Sequence, residues 1–74
     1  MNDVLFRQKV HDSGYKYKFI CDKIGLSNEG LLKKRKGIIP FKVNEINALT
    51  ELLNLSVPER DDIFGLTSPK NNGL

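Results

Sequence analysis

The chain has 74 residues, a formal net charge of +3 and an isoelectric point near 9.2. This length predicts one domain, close to the smallest size that a single hydrophobic core stabilises, and the basic character permits nucleic-acid binding. The single cysteine, Cys21, excludes an internal disulfide, and the lack of a long apolar run argues against a secretory signal or a membrane span, so we expect a cytoplasmic protein.

The first predicted helix follows a cap at Asn2 or Asp3 and ends before Gly14. Phe6, Val10 and Gly14 are spaced four residues apart, so they lie on one face of that helix. We expect this face to pack against the core.

A helix, a glycine turn and a second, capped helix are predicted next. The first of these helices covers residues 15–24, and Gly25 ends it because glycine accepts a positive φ without steric cost. Ser27 caps the following helix, residues 28–36, by accepting hydrogen bonds from its first amide groups. Cys21 lies where the two helices approach most closely and a small side chain is required. This order is typical of the helix-turn-helix by which many regulators dock in the DNA major groove.

Two further helices follow a loop that contains Pro40, which stops the preceding helix. The fourth helix is predicted over residues 43–54, and a capping box of Ser56 and Glu59 opens a short fifth helix. The apolar residues of both helices that we expect in the core are Ile46, Leu49, Leu52, Leu53, Ile63 and Phe64. Without internal repeats or strand-like alternation, the sequence predicts an all-α, five-helix helix-turn-helix domain over residues 1–64 and a flexible tail over residues 65–74.

The order and spacing of these signals, over about residues 5–64, resemble the small phage Cro and lysogeny-repressor DNA-binding domains. The residues that carry the resemblance are Gly14, Ile20, Cys21, Gly25, Leu26, Ser27, Leu31, Lys34, Gly37, Pro40, Phe41, Glu45, Ile46, Leu53, Asn54, Leu55, Ser56, Ile63 and Phe64. The resemblance implies a transcriptional regulator of the lysis–lysogeny switch that binds double-stranded operator DNA. It leaves open whether the protein binds as a homodimer.

In that family the residues that open the third helix reach base edges, and the start of the second helix contacts a phosphate. Carried over to this chain, the base-reading residues are Asn28, Glu29, Leu32 and Lys33. Asparagine pairs with adenine, glutamate accepts from cytosine, and leucine can meet a thymine methyl group. The expected phosphate contacts are Tyr17, Lys18, Ser27, Lys36 and Lys42. We expect at least two phosphate contacts from the basic run 33–36.

The chain also departs from the family pattern. Lys16 stands where Ser or Thr usually caps the second helix, and a lysine cannot accept from free amide groups. Tyr17 replaces a usual glutamine, and Arg35 occupies a position that is commonly apolar and faces inward. These departures favour an alternative, because the chain also resembles phage modulator-of-repression proteins, which act by binding the lysogeny repressor. The residues predicted for such a protein interface are Phe19, Gly30, Leu32, Ile38 and Ile39.

Aromatic and cationic residues alternate in residues 15–18, which makes stacking on unpaired bases conceivable. We instead predict that Tyr15 packs inward and that Tyr17 lies at a phosphate. His11 has no metal-ligating neighbour at a suitable spacing on its helix face, so no metal site is expected. One histidine and one cysteine cannot supply a nucleophile, a base and an orienting residue, and no glycine loop for phosphate is present. We expect neither an enzyme nor a cofactor.

Overall fold

Five helices make up the computed structural model, which describes residues 1–66. They are α1 (Asp3–Ser13), α2 (Tyr17–Ile24), α3 (Asn28–Arg35), α4 (Val43–Leu52) and α5 (Val57–Phe64). Within residues 1–66 there is no strand, so the predicted all-α class is confirmed. The greater part of the predicted tail, residues 67–74, lies outside the described residues. None of the helices in residues 1–66 is long and apolar enough to cross a membrane.

Four helices supply the largest fully buried side chains of the core, namely Phe6 of α1, Ile20 of α2, Leu49 of α4 and Ile63 of α5. The main packing pairs α2 with α4, α1 with α5, α2 with α3, and α4 with α5. Helix α3 adds one apolar side chain to this core, Leu31. The first, second, fourth and fifth helices therefore form the body of the protein, and α3 lies against it by one of its faces.

The predicted caps are present at three helix starts. The Asn2 side chain accepts from the Leu5 amide at 3.1 Å, which assigns the α1 cap to Asn2. Ser27 accepts from the Gly30 amide at 2.9 Å at the start of α3. At α5, Ser56 accepts from the Glu59 amide at 3.3 Å and the Glu59 carboxylate accepts from the Ser56 amide at 2.8 Å, which is the predicted capping box.

Helix α2 begins two residues later than predicted. The Ser13 hydroxyl accepts from the Tyr15 amide at 3.1 Å and Gly14 has a φ of +78°, so the chain is still turning at Tyr15. Lys16 is extended and gives no side-chain cap, as its chemistry requires. The prediction that Tyr15 packs inward is wrong, because 40% of the residue is exposed and its ring lies against Phe19.

Helices α3 and α4 both end earlier than predicted. Lys36 is the C-cap of α3 and no longer part of the helix. Beyond α4, Asn54 has a φ of +54°, and the Leu55 amide donates to the Thr50 carbonyl at 2.9 Å. This is a Schellman motif, in which asparagine tolerates the left-handed conformation and the next apolar residue turns back to the core. Leu55 is accordingly buried.

Candidate nucleic-acid interface

The turn between α2 and α3 sets the position of α3. Gly25 has a φ of +75°, and the Leu26 amide donates to the Cys21 carbonyl at 2.9 Å. Cys21 is buried with its Sγ 3.8 Å from the Ser27 carbonyl oxygen, so the two helices meet closely at this small side chain, as predicted. Burial, and then the nearby Asp22 carboxylate, raise the pKa of the Cys21 thiol.

Helix α3 divides into an inner and an outer face. Leu31 and Lys34, three residues apart, are buried. The four residues predicted to read bases, together with Lys36, are exposed; these are Asn28, Glu29, Leu32, Lys33 and Lys36. Because residues four apart are neighbours on a helix, they form one continuous outer surface. The structure therefore brings the predicted base-reading residues together on the solvent side of α3.

The four basic residues 33–36 do not form one exposed positive surface. Lys33 and Lys36 are exposed and form no ion pair within residues 1–66. Lys34 is 7% exposed and its ammonium pairs with Glu45, while Arg35 pairs with Asp3. Two of the four cations are thus engaged in ion pairs with other helices, which the sequence did not predict. The inward spacing of Leu31, Lys34 and Arg35, at three and four residues, was the signal that could have found it.

Lys34 and Glu45 form an ion pair between α3 and the first turn of α4. The Lys34 ammonium donates to Glu45 Oε1 at 2.5 Å, and the same oxygen accepts from the Lys42 amide at 2.8 Å. The Lys34 nitrogen also lies 6.0 Å from the centre of the Phe41 ring. Burial raises the pKa of Glu45, but the hydrogen bonds from Lys34 and the Lys42 amide outweigh it and hold the pKa below its ordinary value.

Arg35 joins α3 to the start of α1. Its guanidinium donates from Nε to Asp3 Oδ1 at 2.8 Å and from a terminal nitrogen to Asp3 Oδ2 at 3.1 Å, which is the two-point geometry that arginine forms with carboxylates. The guanidinium carbon lies 5.0 Å from the centre of the Tyr17 ring and 5.6 Å from that of Phe6. Hydrogen bonding to Arg35 lowers the pKa of Asp3, and the same bonds raise the pKa of Arg35.

The residues predicted to contact phosphate differ in their surroundings. Lys18, Lys36 and Lys42 are exposed. Ser27 is exposed, but its hydroxyl oxygen already accepts from the Gly30 amide. Tyr17 is half-buried, and its ring packs against the core beside Arg35, so only part of this residue faces solvent. The aromatic partner of an internal arginine is therefore a second role that the sequence did not indicate for Tyr17.

The ion pairs also show which exposed positive charges are not neutralised within the described residues. Among residues 1–66, the exposed cations that form no ion pair and lie over no aromatic ring are Lys16, Lys18, Lys33, Lys36 and Lys42. They belong to the start of α2, to the outer face and C-cap of α3, and to the cap of α4. The cations of α1 and α5 are in contrast paired with carboxylates; these are Arg7, Lys9 and Arg60. Unpaired positive charge is thus concentrated in the segment from α2 to the start of α4.

The apolar side chains predicted for a protein interface are exposed in the same segment. The exposed fractions are 40% for Phe19, 44% for Leu32, 66% for Ile38 and 42% for Ile39. Phe19 packs against Tyr15, with ring centres 4.8 Å apart, and the Lys23 ammonium lies 5.4 Å from the Phe19 centre. The neighbouring helix cap gives one reason for glycine at position 30. A Cβ atom there would lie 3.1 Å from the Ser27 hydroxyl oxygen that caps the helix.

No group of three or more His, Cys, Asp or Glu side chains within residues 1–66 is arranged to hold a metal ion.

Comparison with protein-family models, curated proteins and solved structures gives no match for this chain.

Proposed function

We propose that this protein binds double-stranded DNA by placing the outer face of α3 in the major groove, as a phage-type transcriptional regulator acting on an operator. The observation that supports this proposal most directly is the division of α3 into two faces. Leu31 and Lys34 point into the protein. The outer face carries an amide, a carboxylate, a leucine and a lysine, and the C-cap adds a second lysine, Lys36. These groups are suited to the donor, acceptor and methyl pattern of the major groove.

The distribution of charge supports the same proposal. Phosphate contacts place a protein on the duplex, and they are supplied by cations that are not already neutralised. Within residues 1–66, unpaired and exposed lysines precede α3 in the sequence at Lys16 and Lys18 and follow it at Lys42. The resemblance of the sequence to phage Cro and repressor domains makes an operator the expected target.

Duplex binding at two salt concentrations tests this function. A preferred sequence is first selected from a randomised duplex pool, and its affinity is then compared with that of a scrambled duplex. We expect both affinities to fall as salt rises, because bound lysines release counterions, and the selected sequence to be preferred throughout. Wild-type protein that binds no duplex at low salt would exclude this function.

A second candidate function is supported by the exposed apolar residues. Phe19, Leu32 and the loop pair Ile38–Ile39 expose more apolar surface than phosphate and base contacts require. We propose as the alternative that this surface binds a phage repressor protein and relieves its binding to DNA. A gel-shift competition, in which this protein releases a Cro-like or lysogeny-repressor domain from its operator, tests it directly.

A further inference from the structure

Helix α3 has little apolar contact to hold it in place. It has eight residues, a length at which an isolated helix is marginal in water, and it contains Gly30, which lowers helix propensity further. Leu31 is its one apolar residue in the core. Beyond the turn from α2, which places its start, the angle at which α3 meets a partner therefore depends on its other side-chain contacts.

Those contacts are two ion pairs formed by consecutive residues at the end of α3. Lys34 reaches the first turn of α4 through Glu45, and Arg35 reaches the first turn of α1 through Asp3. Both cations are also covered by aromatic rings, Phe41 for Lys34 and Tyr17 with Phe6 for Arg35. A planar guanidinium held at two points and lying 5.0 Å and 5.6 Å from two ring centres restrains rotation of the helix, which a single apolar contact does not.

We propose that Lys34 and Arg35 are positioning residues, which fix the orientation of α3 through Glu45 and Asp3 and so determine discrimination between DNA sequences without contacting DNA. This inference rests on the proposed DNA-binding function. Attraction to any duplex then comes from the exposed lysines, whereas the choice among sequences depends on carboxylates in α1 and α4. The carboxylates make the inference testable, because removing a negative charge should strengthen simple electrostatic attraction to DNA.

The decisive variant is Asp3→Asn, with Asp12→Asn as its matched control. Both changes lie on α1 and alter the net charge equally, and Asp12 is exposed and has no partner outside α1 within residues 1–66. For Asp3→Asn we expect about tenfold weaker binding of the selected duplex, because a loss of this size is expected when one base contact is misaligned. Binding of a scrambled duplex should not become weaker. Asp12→Asn should weaken neither. Equal affinities of the two variants for the selected duplex would overturn the proposal.

The double variant Asp3→Asn/Arg35→Gln keeps the net charge and separates positioning from phosphate contact. A positioning role leaves the salt dependence of scrambled-duplex binding unchanged, whereas a direct phosphate contact by Arg35 would lower its slope by about one and overturn the proposal. For the second pair, Lys34→Met/Glu45→Gln removes both buried charges and keeps an acceptor for the Lys42 amide. It should also lose preference for the selected duplex, and retained preference would overturn the role of Lys34.

Amide hydrogen exchange in the DNA-free protein provides a measurement that is independent of DNA binding. Asp3→Asn should speed exchange in α3 and leave the core of α5 protected, because the bond to Arg35 is the contact that ties Asp3 to α3, whereas its other cation, Arg7, lies on α1 itself. Identical α3 exchange in Asp3→Asn and Asp12→Asn would overturn the positioning role even if wild-type protein binds DNA. Faster α3 exchange in a protein that binds no duplex would support the restraint while excluding the proposed DNA-binding function.

Discussion

The Lys34 ammonium and the Glu45 carboxylate meet at 2.5 Å, and each side chain is only 7% exposed to solvent. Two charges are buried together here because each satisfies the other and Glu45 also accepts from the Lys42 amide. Such a pair contributes little net stability over an apolar pair of similar volume, yet breaking it leaves one charge buried and uncompensated. We therefore expect the pair to restrain the structure more than it stabilises it.

We accordingly expect Lys34→Met alone to lower the free energy of unfolding by about 3–5 kcal/mol, the loss typical of removing one partner from a buried pair. Lys34→Met/Glu45→Gln should regain most of that loss because no charge remains buried. Urea unfolding of the two variants measures the difference. If the single variant is as stable as the double variant, the Glu45 carboxylate is not left buried and uncompensated when Lys34 is removed.

Core truncations test the register of α3 and α4. Leu31 and Leu49 are 2% and 0% exposed, and replacing either with alanine should lower the free energy of unfolding by about 2–5 kcal/mol. Leu32, the neighbour of Leu31, is 44% exposed, so Leu32→Ala should change stability by less than about 0.5 kcal/mol and serves as the control. Thermal melts in which Leu31→Ala and Leu32→Ala behave alike would contradict the assigned inner face of α3.

The sequence predicts the five helices and their caps well because these depend on local chemistry. Gly25, Ser27 and Ser56 impose backbone conformations and hydrogen bonds within a few residues, so their effects are visible in the sequence alone. The start of α2 was misplaced because the Ser13 hydroxyl takes the Tyr15 amide. The spacing of Lys34 and Arg35 from Leu31 indicates that both face inward, but it does not identify their partners: Glu45 and Asp3 are 11 and 32 residues away, and no local pattern links such pairs.

Acid should weaken the contacts that hold α3. Hydrogen bonding to Arg35 lowers the pKa of Asp3 from its ordinary 3.8, and the pKa of Glu45, despite the opposing effect of burial, lies below its ordinary 4.5. A carboxylate whose pKa is lower in the folded than in the unfolded state stabilises the fold above the unfolded pKa and ceases to do so as pH falls through the folded pKa. We expect a melting temperature that is steady from neutral pH to about pH 5 and then falls with further acidification. The fall should be shallower in Lys34→Met/Glu45→Gln, and an equally steep fall would show that Glu45 does not contribute.

Exposed lysines of α3 should control general attraction to DNA. Lys33→Ala and Lys36→Ala should weaken binding to every duplex and each reduce the slope of log affinity against log salt by about one, since each removes an exposed cation that forms no ion pair within residues 1–66. Asn28→Ala should cost about 1–3 kcal/mol on the selected duplex and leave scrambled duplex unchanged, because the amide acts on a base edge. Binding titrations at several salt concentrations separate the two classes. If Asn28→Ala weakens binding of the selected and the scrambled duplex equally, Asn28 contacts phosphate rather than a base.

Repressor binding, the alternative function, predicts a different result at Leu32. Its side chain is exposed on the outer face of α3, so Leu32→Asp should fold normally but bury an unpaired charge in an apolar interface and abolish release of a repressor domain from its operator. Leu32→Ala, which keeps the surface uncharged, should reduce release only in part. Gly30→Leu would be a poorer test of the same interface, because its Cβ would crowd the Ser27 hydroxyl at 3.1 Å and disturb the cap of α3. If wild type and Leu32→Asp release the repressor equally well in a gel-shift competition, the interface does not include the outer face of α3. If wild type releases no repressor domain at micromolar concentration and still binds its own selected duplex, DNA is the partner of this surface.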